Sequence, residues 1–351
     1  MDQIWWGRVP NAIAFITDIT QSLFDEKSVV LQCEQRIPWY NTMVLQIKEA
    51  VMQQDSSRRF EVIRNVDDPG PYLLQEFCKP EKRATYRPAK GYAKFFAESD
   101  DIVLHSRYLW VYAESIKMLE TWVSFVSEYI RNRGKNKESA VFILEWQGEK
   151  ATISKKGIHT FSFDDYINEY DQIVFSMLAS SSIKEETGIK NYLAELAANI
   201  TGNDIELCAA CVSRAKGFLK EPYSVIREII DNEYRSDGGP FFYRGTTESV
   251  IHDIWRAQIK TIYPLIEEYR EEFVGKHEKA IAKELPFTSS YGETYDDPKD
   301  VELGTLVFMA DNSRLFISSD EYFLLKKYKD ARNKLSHLGV LSVNEIKDLI
   351  R

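Results

Sequence analysis

Short β-branched runs alternate with helix-length amphipathic stretches through the first half of the chain. Candidate strands lie at 28–32, 60–64, 101–104 and 140–144, each rich in Val, Ile, Leu or Phe. Between the last two, apolar residues at Leu109, Tyr112, Ile116, Leu119, Val123, Val126 and Ile130 predict a long helix that Gly134 stops. Strands separated by helix-length segments imply βαβ units, and hence a mostly parallel sheet covered on both faces. After Ser180-Ser181-Ser182 the pattern turns helical. Helices are predicted over 184–199 and 204–220, separated by the turn Thr201-Gly202-Asn203, and a third starts near Pro222.

Asp237-Gly238-Gly239-Pro240 resists both helix and strand, so the boundary of the last domain is placed there. Beyond it, 248–285 reads as one long helix that Pro264 kinks. The polar stretch 286–300, with Gly292 and Pro298, reads as a surface loop. Helical patterns resume at 301–309, 319–336 and 343–350, with Ser318 or Ser319 and Ser342 as N-caps and Gly339 as a helix stop. The expected architecture is an α/β N-terminal region with a mostly parallel sheet (1–182), an α-helical lid-like unit (183–236) and an all-α C-terminal domain (241–351). A chain of 351 residues with 44% apolar content has material for more than one core.

Charge narrows the possible partners. A net charge of −9 opposes broad attraction to nucleic acid, so RNA contact is confined to a small local site. No apolar run approaches the roughly 20 residues that span a bilayer, and Met1-Asp2-Gln3-Ile4-Trp5-Trp6 lacks the basic start of a secretory signal. The expectation is a cytoplasmic protein without membrane contact. Four cysteines, Cys33, Cys78, Cys208 and Cys211, are too few for a disulfide scaffold. Cys208-Ala-Ala-Cys211 has redox or zinc spacing, yet both cysteines fall on the apolar stripe of a helix and no second pair follows. The core reading is preferred, and no metal and no cofactor are called for. Trp5, Trp6, Arg8 and Pro10 make a dense aromatic start, read as a segment packing on the sheet, with a partner-binding patch as the alternative.

A βαβ-rich region followed by a helical unit resembles, over about residues 1–220, the core and lid of AAA-type P-loop ATPases. That family needs Gly-x-x-x-x-Gly-Lys-Ser/Thr after the first strand, where glycines let backbone N–H groups wrap the phosphates. Here Cys33-Glu34-Gln35-Arg36-Ile37-Pro38-Trp39 follows instead, without a glycine. The third predicted strand begins at Asp101 and does not end in the acidic pair that holds magnesium. The resemblance therefore implies a degenerate, non-hydrolysing relative.

Arg332-Asn333-Lys334-Leu335-Ser336-His337 closes a long helical stretch. An Arg, then four residues, then a His, with Asn directly after the Arg, resembles the signature of HEPN domains over about residues 249–351. The resemblance implies metal-independent RNA cleavage by a homodimer that brings two motifs together, as in toxin, abortive-infection or phage-defence systems, with Arg332, Asn333 and His337 as the catalytic set. The residue types suit that chemistry: imidazole can relay a proton of a 2′-hydroxyl or a leaving oxygen, and guanidinium offers a planar fork to phosphate. On a regular helix a five-residue step turns about 500°, which leaves Arg332 and His337 roughly 140° apart, whereas Asn333 and His337 share a face. Either the helix ends near His337 or a second protomer completes the site. Two further readings stay open. Arg and His in a last turn complement the helix dipole, and a HEPN-like fold can serve binding or assembly alone, as an adaptor with a protein partner.

Overall fold

The computed structural model describes residues 1–134, 137–289 and 292–350. The chain divides into two compact units, Met1–Asp171 and Gln172–Arg351.

The first unit opens with helices α1 (Asp2–Arg8) and α2 (Pro10–Phe24), strand β1 (Ser28–Cys33), helix α3 (Tyr40–Gln54) and strand β2 (Arg59–Ile63). Helices α4 (Pro69–Phe77) and α5 (Tyr92–Glu98), strand β3 (Arg107–Ala113), helix α6 (Ile116–Arg133) and strands β4 (Val141–Gln147) and β5 (Ile158–Ser162) complete it. The five strands form one parallel sheet in the order β2-β3-β4-β1-β5. Every residue of β1 is buried, around the apolar run Val29-Val30-Leu31: an interior strand covered on both faces needs no polar alternation, and its buried Ser28 and Gln32 accept from the Phe142 and Ala151 N–H groups. Val30, Leu109, Val111, Phe142 and Leu144 share one core with Leu73, Phe96, Trp122 and Val126 of α4, α5 and α6. Trp5 and Trp6 are buried as well, with Phe163 packed 6.1 Å from Trp6. Arg58 braces the amino end of the sheet. It is almost fully buried, donates to Asp55 and to the carbonyl of Ser139, and pairs with Glu26.

The predicted strand at 101–104 is not one. Val103–Ser106 is a single 3-10 turn, and the third strand is β3, inside the stretch read as the start of a helix. Leu109-Trp110-Val111 is buried throughout, and a continuous apolar run carries no period to separate strand from helix. The helix begins only at Ile116, where the Ser115 hydroxyl accepts from the Met118 N–H at 3.1 Å. Strand β5 was not foreseen. It is short, follows Gly157 and carries His159, whose Nδ1 lies 3.0 Å from the Ser22 hydroxyl.

The second unit holds most of helix α7 (Glu169–Ser181), then α8 (Thr187–Thr201), α9 (Ile205–Ser213), α10 (Pro222–Asn232), α11 (Thr247–Thr261) and α12 (Tyr263–Ala282). Pro264 stands in the first turn of α12, so the long helix of the sequence reading is two helices, parted at Ile262. The stretch 286–300, read as a loop, contains a small antiparallel hairpin, β6 (Phe287–Thr288) and β7 (Thr294–Tyr295). Helices α13 (Leu303–Asp311), α14 (Ser319–Ser336) and α15 (Val343–Ile350) end the unit. The Gly-Gly-Pro turn lies inside this unit, with the Asp237 carboxylate accepting from the Gly239 N–H at 2.8 Å. Cys208 and Cys211 are fully buried in α9, and burial pushes the Cys208 thiol up to about 11. Among the described residues no helix is long and apolar enough to cross a membrane.

Candidate functional site

Helix α14 is built to present its last turn. Ser318 and Glu321 form a capping box at its start, and Leu325, Tyr328, Ala331 and Leu335 bury one face, partly against α13. The Trp255 indole donates to the Leu335 carbonyl at 2.8 Å, which anchors the other end. That end is a Schellman turn: the Gly339 N–H donates to the Lys334 carbonyl at 2.8 Å and the Leu338 N–H to the Leu335 carbonyl at 3.2 Å. The left-handed position is held by Leu338, at φ 61°, not by the glycine. Gly339 is needed for a different reason, since a Cβ there would stand 2.8 Å from the Lys334 carbonyl oxygen.

His337 is the C-cap of α14, and its N–H still donates to the Asn333 carbonyl at 3.1 Å, so it keeps the helical place one turn after Asn333. Asn333 and His337 share that face, and Arg332, about 140° round the helix from His337, reaches the same open cleft of about 590 Å³ through its long side chain, beside Glu302. The hairpin β6–β7 and helix α13 form the other walls, through Phe287, Glu293, Tyr295, Glu302, Phe308 and Asp311. Sequence reasoning missed these residues, because their segments carry no motif. A partial signal existed for Phe308, an aromatic off the apolar stripe Leu303, Leu306, Val307.

The cleft is polar and its charges are largely answered within it. Arg332 Nη2 lies 3.1 Å from Glu302 Oε2, an exposed pair worth at most about 1 kcal/mol, which a phosphate can displace. The Tyr295 hydroxyl donates to Glu293 at 2.8 Å, and the Tyr322 hydroxyl donates to Asp311. Burial, followed by the neighbouring Glu293 and Glu302 carboxylates, raises the Tyr295 phenol, so it is a neutral donor. The arrangement offers a cation, an amide and an imidazole to an anionic ligand, ringed by carboxylates.

The other candidate position is the crevice at the carboxyl ends of β1 and β4, where the onward connections diverge. Here the protein fills its own site. The Glu34 N–H donates to Asp164 Oδ2 at 2.6 Å, so a backbone donor that would face a phosphate already meets a carboxylate. The Gly148 N–H donates to the Cys33 carbonyl at 2.9 Å, and the Trp6 indole to the Pro38 carbonyl at 3.2 Å. Glu145, buried on β4, accepts from the Tyr40 hydroxyl and from the Trp110 indole, both at 2.6 Å. Burial holds the Glu145 carboxyl above its ordinary value and pushes the Cys33 thiol up to about 12. As a correction to the sequence reading, the third strand runs from Arg107 and not from Asp101; it is followed by Glu114 alone, with Ala113 before it, so no acidic pair stands at its end.

No set of three or more His, Cys, Asp or Glu side chains able to hold a metal occurs among the described residues. No protein-family model matches the chain, and no curated protein matches it either.

Proposed function

We propose that this chain is a HEPN-like, metal-independent endoribonuclease of the toxin or defence type, acting in the cytoplasm, with a P-loop-like first unit that regulates without hydrolysing nucleotide. The observation that supports it is the shared open cleft of Arg332, Asn333 and His337. A motif kept only for packing has no need to expose its arginine and its histidine to the same solvent-filled space. In this reading Arg332 leaves Glu302 for the scissile phosphate, His337 relays the proton of the 2′-hydroxyl or the leaving oxygen, and Asn333 orients the chain from one helical turn away. The occupied crevice of the first unit, with Asp164 on the Glu34 N–H, supports a role without phosphate transfer.

A second reading has its own support. His337 caps α14 and Arg332 is already paired, as expected of an adaptor that keeps the fold for assembly with a protein partner. Cleavage of labelled RNA in EDTA by wild type and His337→Ala separates them. The catalytic reading expects wild-type cleavage that falls about 10²–10⁴-fold in the variant, since that is the usual worth of a general acid or base. Arg332→Lys is expected to be impaired too, because an ammonium cannot make the bidentate contact. Equal cleavage by both proteins, or none by either, overturns the catalytic reading in favour of the adaptor.

A further inference from the structure

Helix α13 buries Leu303, Leu306, Val307 and Met309, yet leaves the ring of Phe308 47% exposed. That ring borders the cleft that holds Arg332 and His337. It is also braced: the Phe287 ring stands 5.8 Å away at 45°, and the Arg314 guanidinium lies 5.6 Å from the Phe287 centroid on its own account. A fixed apolar face beside a guanidinium and an imidazole is the layout that recognises a flat base joined to a phosphate.

Size and charge restrict the ligand further. About 590 Å³ has room for one nucleotide unit and far too little for a helical duplex. Glu293, Glu302 and Asp311 line the same cleft and would repel a run of phosphates, so affinity must come mainly from stacking, with a single phosphate contact. From these observations we infer that Phe308 is the stacking platform for one nucleobase of single-stranded RNA, whose adjoining phosphate meets Arg332. The inference rests on the ribonuclease reading and names its substrate class.

The test uses the His337→Ala variant of the whole 351-residue chain, in which cleavage is expected to be too slow to interfere, and a labelled oligoadenylate followed by fluorescence anisotropy. Adding Phe308→Ala is expected to weaken binding about 5- to 100-fold, while Phe308→Trp retains it. An abasic ribose-phosphate chain of the same length is expected to bind as weakly to the parent as oligoadenylate does to Phe308→Ala. The salt slope of log affinity should be near −0.7, the value for about one phosphate. Equal oligoadenylate affinity with and without Phe308, or no binding by the parent, overturns the platform. So does a change in oligomeric mass on Phe308→Ala with RNA affinity untouched, which would make the ring a contact for a second copy. Failure of the platform remains distinct from failure of the ribonuclease reading. Wild-type cleavage that needs His337 but proceeds equally with Phe308→Ala removes the platform alone, and absence of cleavage and of binding removes both.

Discussion

Leu338 carries the turn that closes α14. It takes the left-handed turn that ends α14 just after the C-cap histidine. A left-handed residue other than glycine costs about 1–2 kcal/mol, whereas a glycine there would lose about 0.5–1 kcal/mol through the freedom of the unfolded chain. The Leu338 side chain is 67% exposed and has little burial to lose. Leu338→Gly is therefore expected to stabilise the protein by roughly 0.5–1 kcal/mol, measured by urea unfolding. A loss of stability would mean that the leucine packs against something in solution. Gly339 was legible in the sequence as a helix stop, but its actual job was not, because close approach to the Lys334 carbonyl is a tertiary fact that composition does not encode.

At the scale of elements, the pattern marked the wet-faced helices and the covered strands β1 and β4, but misplaced β3. The bounds of α14 and α15 were read directly, since polar and apolar positions alternate with a helical period and serine caps mark the starts. Strand β3 was missed because its interior run looks the same in either period, and the 3-10 turn before it borrowed the appearance of a strand. That turn is held by His105. Its Nε2 donates to the Ser99 carbonyl at 2.6 Å, while Nδ1, 2.7 Å from the Tyr129 hydroxyl, accepts from it, since Tyr129 itself accepts from the Ala140 N–H. The network suits the neutral ring. Burial, seconded by the nearby Arg133 charge, lowers the His105 pKa against the pull of the Ser99 carbonyl. The folded state thus binds this proton less readily than the unfolded chain. Stability from His105 is full above the ordinary value near 6.5 and is lost as pH falls below it toward the folded value. His105→Leu is expected to cost about 1–3 kcal/mol at pH 7.5 by leaving two buried partners unmet, and the gap to wild type should narrow by pH 5.5. A gap that stays constant or widens on acidification would show that the folded ring is not held neutral.

The whole molecule carries a net charge of −9, so any RNA contact depends on local geometry and not on a general field. The motif residues were legible from their spacing, but the cleft was not: its walls come from 287–289 and 293–311, with α13 packed on α14. This bears on assembly. Arg332 and His337 start from divergent directions on the helix, yet both line one cleft of a single chain. Dimerisation is then no longer required to complete a cleft, and its support is the HEPN resemblance, in which two such motifs meet across a two-fold axis. A two-fold contact repeats the same patch on both chains, which favours self-complementary apolar surface. The second unit offers such surface in Phe316 and Phe323, which are 84% and 63% exposed. The expected outcome is a homodimer joined through Gln172–Arg351, with twice the 40.8 kDa chain mass by light scattering at high micromolar concentration. Phe316→Asp with Phe323→Asp should shift it toward the monomer while leaving the circular-dichroism spectrum unchanged. A wild-type mass of one chain at that concentration would remove the dimer and leave any cleavage to a single cleft.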